Sequence, residues 1–185
     1  MSSLIGPDTP GYHTVELIHL FDKLKILRAF VFDIDGVFTD NRIQVTETGE
    51  YLRTMNVRDG LVVKMAVEAG FQIGIITGGR SEGVKKRFTD LGVSEYYSGI
   101  GQKWPAMQAF LQRTGLPPTA VCYMGDDLPD VAVLRRVGLS CCPADAIPEV
   151  LAVCDYVSPL PGGAGCVRDV LEKAMKLQNK WKYDL

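Results

Sequence analysis

The hydrophobic and polar positions of the chain follow two alternating patterns, which predict strands separated by helices. Short apolar runs predict core strands, and these lie at residues 28–34, 71–76, 95–97, 120–124, 138–142 and 156–157. Longer amphipathic segments predict helices, and these lie at residues 59–69, 81–91, 103–114, 128–136, 148–153 and 167–177. We therefore expect an α/β fold, a three-layer Rossmann-like parallel sheet with helices on both faces.

The chain has 185 residues, a size that favours one domain. We expect a single domain over residues 28–178, with an N-terminal extension over 1–27 and a C-terminal tail over 179–185. The extension includes a predicted helix at 15–27. Asp59 is the expected N-cap of the helix that stops at Gly70.

The segment 41–55 interrupts the pattern of core strands. Two short alternating runs flank a turn that contains Gly49, which predicts a β-hairpin protruding from the sheet. The hairpin is either a surface ornament or a lid or subunit contact. The second interpretation follows because an isolated hairpin is only marginally stable in water.

Composition excludes several classes of protein. Hydrophobic residues make up 46% and charged residues 23% of the chain, as in globular proteins, and the net charge of −2 provides no general attraction for nucleic acid or membranes. No apolar run approaches the roughly 20 residues of a membrane helix, and no signal peptide is expected. The 5 cysteines include no C-x-x-C pair, which favours free thiols in the cytoplasm.

Polar residues follow three of the predicted strands. Asp33 and Asp35 lie at the end of the first strand, Thr77 follows another, and Asp126 and Asp127 follow a third. Because parallel strands end at one edge of a sheet, we expect these groups to converge. Two neighbouring carboxylates repel each other unless a cation lies between them, and carboxylate oxygens suit Mg²⁺.

This arrangement predicts chemistry on a phosphate group. One aspartate can attack phosphorus, while a second protonates the leaving oxygen and later activates water. The hydroxyl of Thr77 and the ammonium of Lys103 are candidates to hold the phosphoryl oxygens. Lys103 begins a predicted helix, and the alternative is an ordinary surface lysine.

Four segments together resemble the motifs of the haloacid dehalogenase superfamily and occur in its order. They are Asp33-Ile34-Asp35-Gly36-Val37, Thr77-Gly78, Lys103 and Gly125-Asp126-Asp127-Leu128-Pro129-Asp130. The chain is similar in particular to the 3-deoxy-D-manno-octulosonate 8-phosphate phosphatases. Features typical of that branch are the hairpin, Asn56-Val57-Arg58-Asp59-Gly60 and the run from Gly162 to Asp169. The resemblance covers residues 28 to about 175.

The resemblance implies a role for each catalytic group. Asp33 would form an aspartyl-phosphate and Asp35 would be the general acid and base. Magnesium would be bound by Asp33, the backbone carbonyl of Asp35, and Asp126. The remaining implied site residues are Asp127 and Asp130 beside the metal ligands, Thr77, Gly78 and Lys103 on the phosphoryl oxygens, and Arg58, Asp59 and Arg168 on the sugar acid.

The resemblance also implies a substrate and an assembly. The substrate would be 3-deoxy-D-manno-octulosonate 8-phosphate, an intermediate of lipopolysaccharide biosynthesis. Members of this branch lack a large cap domain and form tetramers through the hairpin, so that a neighbouring subunit and the C-terminal tail close the site. Two positions depart from the pattern. Gly79 stands where arginine is frequent, and Arg80 comes one residue later, so the pattern does not support a substrate role for Arg80. Cys166 stands where alanine is more usual.

Several alternatives remain open at this point. Within the phosphatases they are a nine-carbon sugar acid 9-phosphate as substrate and broad sugar-phosphate hydrolysis. A phospho-accepting signalling domain also gathers aspartates, threonine and lysine, although its lysine comes last in the chain. A dinucleotide-binding module has weak support from the glycines at 162–165, and a non-catalytic scaffold is a further possibility. Cys166 is either a nucleophile or a packed neutral thiol.

Overall fold

The computed structural model describes residues 19–182, and its centre is a sheet of six parallel strands. In chain order the strands are β1 (Ala29–Phe32), β2 (Gln44–Val45), β3 (Tyr51–Leu52), β4 (Gln72–Ile76), β5 (Glu95–Tyr97), β6 (Val121–Met124), β7 (Leu139–Cys142) and β8 (Tyr156–Val157). The central sheet has the order β5-β4-β1-β6-β7-β8, and β2 and β3 form a separate hairpin. The predicted α/β fold is confirmed.

Helices cover both faces of the sheet. They are α1 (residues 19–26), α2 (Val57–Glu68), α3 (Glu82–Asp90), α4 (Lys103–Thr114), α5 (Val131–Leu134), α6 (Pro148–Leu151) and α7 (Cys166–Leu177). Short 3₁₀ turns occupy Pro118–Ala120 and Leu128–Asp130. Residues 15–18 of the first predicted helix and residues 183–185 of the predicted tail lie outside the described residues. Within residues 19–182, no helix has both the length and the apolar character required to cross a membrane.

The central strand β1 is buried on both faces, as its continuous apolar sequence predicts. Phe30 and Phe32 belong to the core layer that includes residues of α2 and α7, whereas Ala29 and Val31 belong to the layer beneath α4. Strand β1 pairs in parallel with β4 and with β6, so that Phe32 is level with Ile75 and Met124. The three strands therefore end at the same edge.

The predicted hairpin is present as a small two-stranded sheet. Val45 is paired with Tyr51, and Gly49 makes the turn with a φ of 83°. Four of its apolar side chains face solvent in the single chain, with 45% exposure for Ile43, 63% for Val45, 60% for Tyr51 and 48% for Leu52. Between β1 and α2 the chain thus carries a hairpin with an apolar surface rather than a folded cap domain.

Two local predictions were wrong. Asn56, and not Asp59, caps α2, because the Asn56 side chain accepts a hydrogen bond from the backbone nitrogen of Arg58. Asp59 lies within the first turn and is fully buried. The predicted helix at 128–136 is divided into a 3₁₀ turn and α5, because Asp127 and Asp130 form a capping box around the turn.

Candidate active site

The carboxyl ends of β1, β4 and β6 enclose a cleft of about 370 Å³. The structure brings together here most of the predicted site residues, namely Asp33, Asp35, Thr77, Gly78, Lys103, Asp126 and Asp127. Strand register is the cause. Phe32 pairs with residues of β4 and β6, and Asp33 is the next residue along the chain. The backbone nitrogen of Asp33 also donates to the carbonyl of Met124, which extends the alignment by one residue.

Lys103 lies at the base of the cleft and bridges two carboxylates. Its Nζ is 2.6 Å from Oδ2 of Asp33 and 2.7 Å from Oδ1 of Asp130. The side chain is only 3% exposed, so the alternative of an ordinary surface lysine is excluded. Burial alone would lower the pKa of Lys103, but the charges of Asp130 and Asp33 outweigh burial and raise that pKa. Lys103 is therefore a fixed cation beside Asp33.

Asp130 anchors Lys103 through a second ion pair. Its Oδ1 accepts a hydrogen bond from the hydroxyl of Tyr123 at 2.5 Å, in addition to the bond from Lys103. Its Oδ2 accepts bonds from the backbone nitrogens of Asp126 and Asp127 at 3.1 and 3.2 Å. Both oxygens of Asp130 thus have protein partners, and its carboxylate links Lys103 to the loop after β6.

Asp33 and Asp126 have oxygen atoms that face no protein donor. Oδ1 of Asp33 and Oδ1 of Asp126 are buried and have no hydrogen-bond partner. Together with Asp130, these two residues bring carboxylate oxygens within 4.8 Å of one another. Burial raises the pKa of Asp33 to about 7 and that of Asp126 to about 6, and the charge of Asp130 adds to both effects. Because Asp130 is fully engaged, Asp33 and Asp126 are the side chains that offer free ligand atoms, and this donor set fits a hard divalent cation such as Mg²⁺.

Thr77 places its hydroxyl within the same cleft. The residue is 2% exposed, and its Oγ1 accepts a hydrogen bond from the backbone nitrogen of Gly79 at 3.1 Å. Because the oxygen is the acceptor in that bond, the hydroxyl hydrogen remains available to another acceptor. The position suits a donor to a phosphoryl oxygen.

Two contacts in the cleft were missed by the sequence analysis. Arg53 donates two hydrogen bonds to the carboxylate of Asp35, and Asn41 donates from Nδ2 to Oδ2 of Asp126 at 2.7 Å. Both residues flank the hairpin, and no spacing rule connects them with the strand ends. The sequence shows only that each is a polar residue next to a strand of the hairpin, Asn41 before β2 and Arg53 after β3.

The predicted sugar-acid group lies apart from the acidic cleft. Arg58 and Arg168 line a second cavity of about 540 Å³ together with Asn56, Gly165 and Lys173. Asp59 is buried, and its Oδ1 accepts a hydrogen bond from the backbone nitrogen of Arg168 at 2.8 Å. This bond holds the first turn of α2 against the start of α7, and none of Arg58, Asp59 and Arg168 is among the residues that line the acidic cleft.

Neither Cys166 nor Arg80 is among the residues that line the cleft. Cys166 is buried, donates from Sγ to the carbonyl of Val37 at 3.2 Å, and has a pKa raised by burial. A buried neutral thiol is a poor nucleophile, so the structure favours the packed-thiol interpretation of Cys166. Arg80 is exposed and is absent from the described lining of the cleft.

Comparison with known proteins agrees with this geometry. A model of the haloacid dehalogenase-like hydrolases matches residues 95–165. A 3-deoxy-D-manno-octulosonate 8-phosphate phosphatase of Salmonella typhimurium is 34% identical over 180 residues, which are 97% of this chain and 92% of that protein. The crystal structure of the phosphatase of the same name from Yersinia pestis matches with a TM-score of 0.86 at 34% identity and covers 88% of each chain.

A further solved structure contains bound ligands. It is the 3-deoxy-D-manno-octulosonate 8-phosphate phosphatase from Moraxella catarrhalis in complex with a magnesium ion, a phosphate ion and a KDO molecule. It matches with a TM-score of 0.85 at 31% identity, over 88% of this chain and 93% of that chain. These similarities confirm the resemblance predicted from the motifs, and the chain belongs to the 3-deoxy-D-manno-octulosonate 8-phosphate phosphatase family of haloacid dehalogenase-like hydrolases.

Proposed function

We propose that the protein is a magnesium-dependent phosphatase that hydrolyses 3-deoxy-D-manno-octulosonate 8-phosphate through an aspartyl-phosphate at Asp33. The observation that carries the proposal is the environment of the Asp33 carboxylate. One oxygen is held by Lys103 at 2.6 Å, and the other is buried without a partner, as is Oδ1 of Asp126, whose carboxylate has an oxygen within 4.8 Å of one of Asp33. A carboxylate held in this way is poised for a cation and a phosphoryl group.

The first half of the reaction transfers the phosphoryl group to the protein. A carboxylate oxygen of Asp33 forms a bond to phosphorus while the bond from phosphorus to the sugar oxygen breaks. Asp35 gives its proton to that leaving oxygen. The hydroxyl of Thr77, the backbone of Gly78 and the ammonium of Lys103 hold the remaining phosphoryl oxygens, where negative charge accumulates.

The second half of the reaction regenerates Asp33. Asp35, now a carboxylate, takes a proton from water as the water oxygen attacks phosphorus, and the bond between phosphorus and Asp33 breaks to release phosphate. Asp33, Asp126 and the backbone carbonyl of Asp35 would hold magnesium, which would supply positive charge to neutralise the phosphate and the carboxylates. Asp127 and Asp130 support this site from the loop after β6, where Asp130 fixes the backbone of Asp126 by a bond of 3.1 Å.

We infer that the complete site forms in a homotetramer. The apolar hairpin surface of Ile43, Val45, Tyr51 and Leu52 supports a subunit contact, because an exposed cluster of this kind gains from burial. Contact through the hairpin would place the cavity lined by Arg58 and Arg168 next to the acidic cleft of a neighbouring subunit. Its guanidinium groups suit the carboxylate of a sugar acid, and Asp59 would act there by holding the start of α7.

We also infer the extent of the domain and the compartment. A phosphatase domain over residues 28–178 agrees with the ends of β1 and α7. Leu24 and Leu27 of the N-terminal extension are buried against that domain, and Gln178 donates to both of their carbonyls at 2.9 Å. The 5 cysteines are free thiols, which supports a reducing compartment, the cytoplasm. The reaction would serve lipopolysaccharide biosynthesis.

Phosphate release from a panel of substrates tests the proposal. The panel contains 3-deoxy-D-manno-octulosonate 8-phosphate, a nine-carbon sugar acid 9-phosphate and simple hexose phosphates, each with magnesium and with chelator. We expect magnesium-dependent release with a strong preference for the eight-carbon substrate. Preference for the nine-carbon substrate would support the mechanism but show that the proposed substrate is wrong. If the folded protein released phosphate from none of these compounds, the proposal would be overturned.

A further inference from the structure

Arg53 holds the carboxylate of Asp35, which lines the acidic cleft. Its Nε donates to Oδ1 of Asp35 at 2.6 Å and its Nη2 donates to Oδ2 at 3.0 Å. The Arg53 side chain is 7% exposed, whereas that of Asp35 is 30% exposed. The pair is therefore shielded on the arginine side and open on the side from which a substrate would approach Asp35.

The surroundings of the pair keep Arg53 charged and leave room for its side chain. Burial raises the pKa of the neighbouring Tyr96, and the hydrogen bond with Asp35 raises the pKa of Arg53, so both side chains keep their protons near neutral pH. A Cβ built on Gly79 would lie 3.0 Å from Nη2 of Arg53 and 3.3 Å from Oδ2 of Asp35. Gly79 thus leaves the space that the ion pair occupies.

We propose that Arg53 is a positioning residue for the general acid and base, a role that rests on the proposed function. A planar guanidinium bound to both oxygens of Asp35 fixes the plane of the carboxyl group. Each carboxylate oxygen has two lone pairs, so each oxygen keeps one free site after it accepts a bond from Arg53. Because Asp35 lines the cleft, such a free site is available to exchange a proton with the leaving oxygen in the first half-reaction and with water in the second.

The position of Arg53 in the chain connects this role to the hairpin. Arg53 directly follows β3, whose Tyr51 and Leu52 carry part of the exposed apolar surface. The main chain from β3 therefore leads straight from the hairpin into the pair with Asp35.

The test compares two leaving groups in single-turnover experiments, and steady-state kinetics supply KM. A sugar alkoxide must be protonated as it leaves, whereas p-nitrophenolate is stable without a proton, so loss of a positioned acid affects the first substrate more. We expect Arg53→Met to slow leaving-group release from the sugar acid phosphate by about 100-fold and from p-nitrophenyl phosphate by less than about 5-fold, with KM nearly unchanged. Arg53→Lys, which restores one charged donor, should recover part of the loss.

Matched variants separate the possible outcomes. Arg42→Met changes an 88% exposed arginine of the same hairpin segment and should leave both rates as in the wild type. Equal losses on the two substrates, unchanged rates, or a raised KM with an unchanged rate would each overturn the positioning role. If circular dichroism shows that Arg53→Met does not fold, the ratio of the rate losses on the two substrates is measured on Arg53→Lys instead. A larger loss on the sugar acid phosphate would then support the positioning role, and equal losses would overturn it. Failure of the wild type to release phosphate from the sugar acid phosphate would instead refute the proposed function.

Discussion

A Cβ built on Gly36 would lie 2.0 Å from Oδ2 of Asp126, closer than any real contact. Gly36 also has a φ of 84°, a conformation that side chains other than glycine disfavour. We expect Gly36→Ala to displace Asp126, to abolish magnesium-dependent phosphatase activity and to remove the stabilisation of the fold by magnesium. Phosphate release and thermal unfolding with and without magnesium measure these effects.

Gly49→Ala is the matched control for that substitution. Gly49 has a nearly identical φ of 83°, but a Cβ there would meet nothing within 4 Å. Both variants carry a backbone penalty of about 1 kcal/mol, and only Gly36→Ala disturbs a carboxylate of the cleft. If both variants lost activity equally, backbone strain rather than contact with Asp126 would explain the result.

Tyr123→Phe tests whether Asp130 positions Lys103. The substitution removes the hydroxyl that donates to Oδ1 of Asp130 at 2.5 Å while keeping the buried ring. We expect a loss of about 1 kcal/mol in the free energy of unfolding and a fall in kcat of about tenfold, because the partner of Lys103 becomes less constrained. Denaturant titration and steady-state kinetics provide the two values.

Tyr97→Phe serves as the control for the loss of a sheet tyrosine hydroxyl. The hydroxyl of Tyr97 donates to Oε2 of Glu95 at 2.6 Å, away from the acidic cleft. This variant should lose stability to a similar extent and retain its kcat. An unchanged kcat in Tyr123→Phe would show that Lys103 is held without help from Tyr123.

Asp155→Asn tests a stabilising charge outside the active site. Burial alone would raise the pKa of Asp155, but interactions with Lys23 and Ser140 outweigh burial and lower that pKa. A lowered pKa in the folded state stabilises the protein above the unfolded value of about 4 and ceases to do so as the pH falls through the folded value. We expect Asp155→Asn to lower Tm by about 2 °C at pH 7, with a difference that shrinks toward zero as the pH falls below about 4.

Asp22→Asn is the comparison for the pH experiment. Asp22 forms a wider pair with Lys25 at 3.6 Å, and both side chains are more than half exposed, so its removal should change Tm little at either pH. A deficit in Asp155→Asn that stayed constant from pH 7 to pH 3 would assign the effect to lost packing or hydrogen bonding rather than to charge.

The hairpin surface is tested by replacing a cross-strand pair. Val45 lies opposite Tyr51, and both are exposed apolar side chains. The double variant Val45→Lys and Tyr51→Glu removes apolar surface but places opposite charges across the hairpin, which preserves the pairing of β2 and β3. We expect sedimentation to show a tetramer in the wild type and smaller species in the double variant, with reduced catalysis. Val157→Glu changes a 40% exposed valine on β8 and should leave the assembly intact; a tetrameric double variant would contradict the role of the hairpin.

The sequence predicted those parts of the site that depend on strand order. Asp33, Thr77 and Asp126 could be placed together because each follows an apolar strand of one parallel sheet, and register then aligns them. Arg53 and Asn41 could not be predicted, because their contacts depend on how the hairpin folds back over the acidic loop.

The wrong prediction of Asp59 as the N-cap of α2 has a different cause. An aspartate near a helix start is a frequent N-cap, but Asn56 takes that position and Asp59 is buried against the backbone of Arg168. That contact joins residues 109 positions apart in the chain, so no local pattern could reveal it. Tertiary packing decided which of two capping residues was used.

The central claim is that Asp33 carries the phosphoryl group during turnover. Rapid acid quench of the protein with ³²P-labelled 3-deoxy-D-manno-octulosonate 8-phosphate, followed by peptide mapping, tests it directly. We predict magnesium-dependent labelling of the peptide that contains Asp33, and neither label nor phosphate release in Asp33→Asn, although that variant folds. Label on another residue, or substantial turnover by Asp33→Asn, would contradict the mechanism.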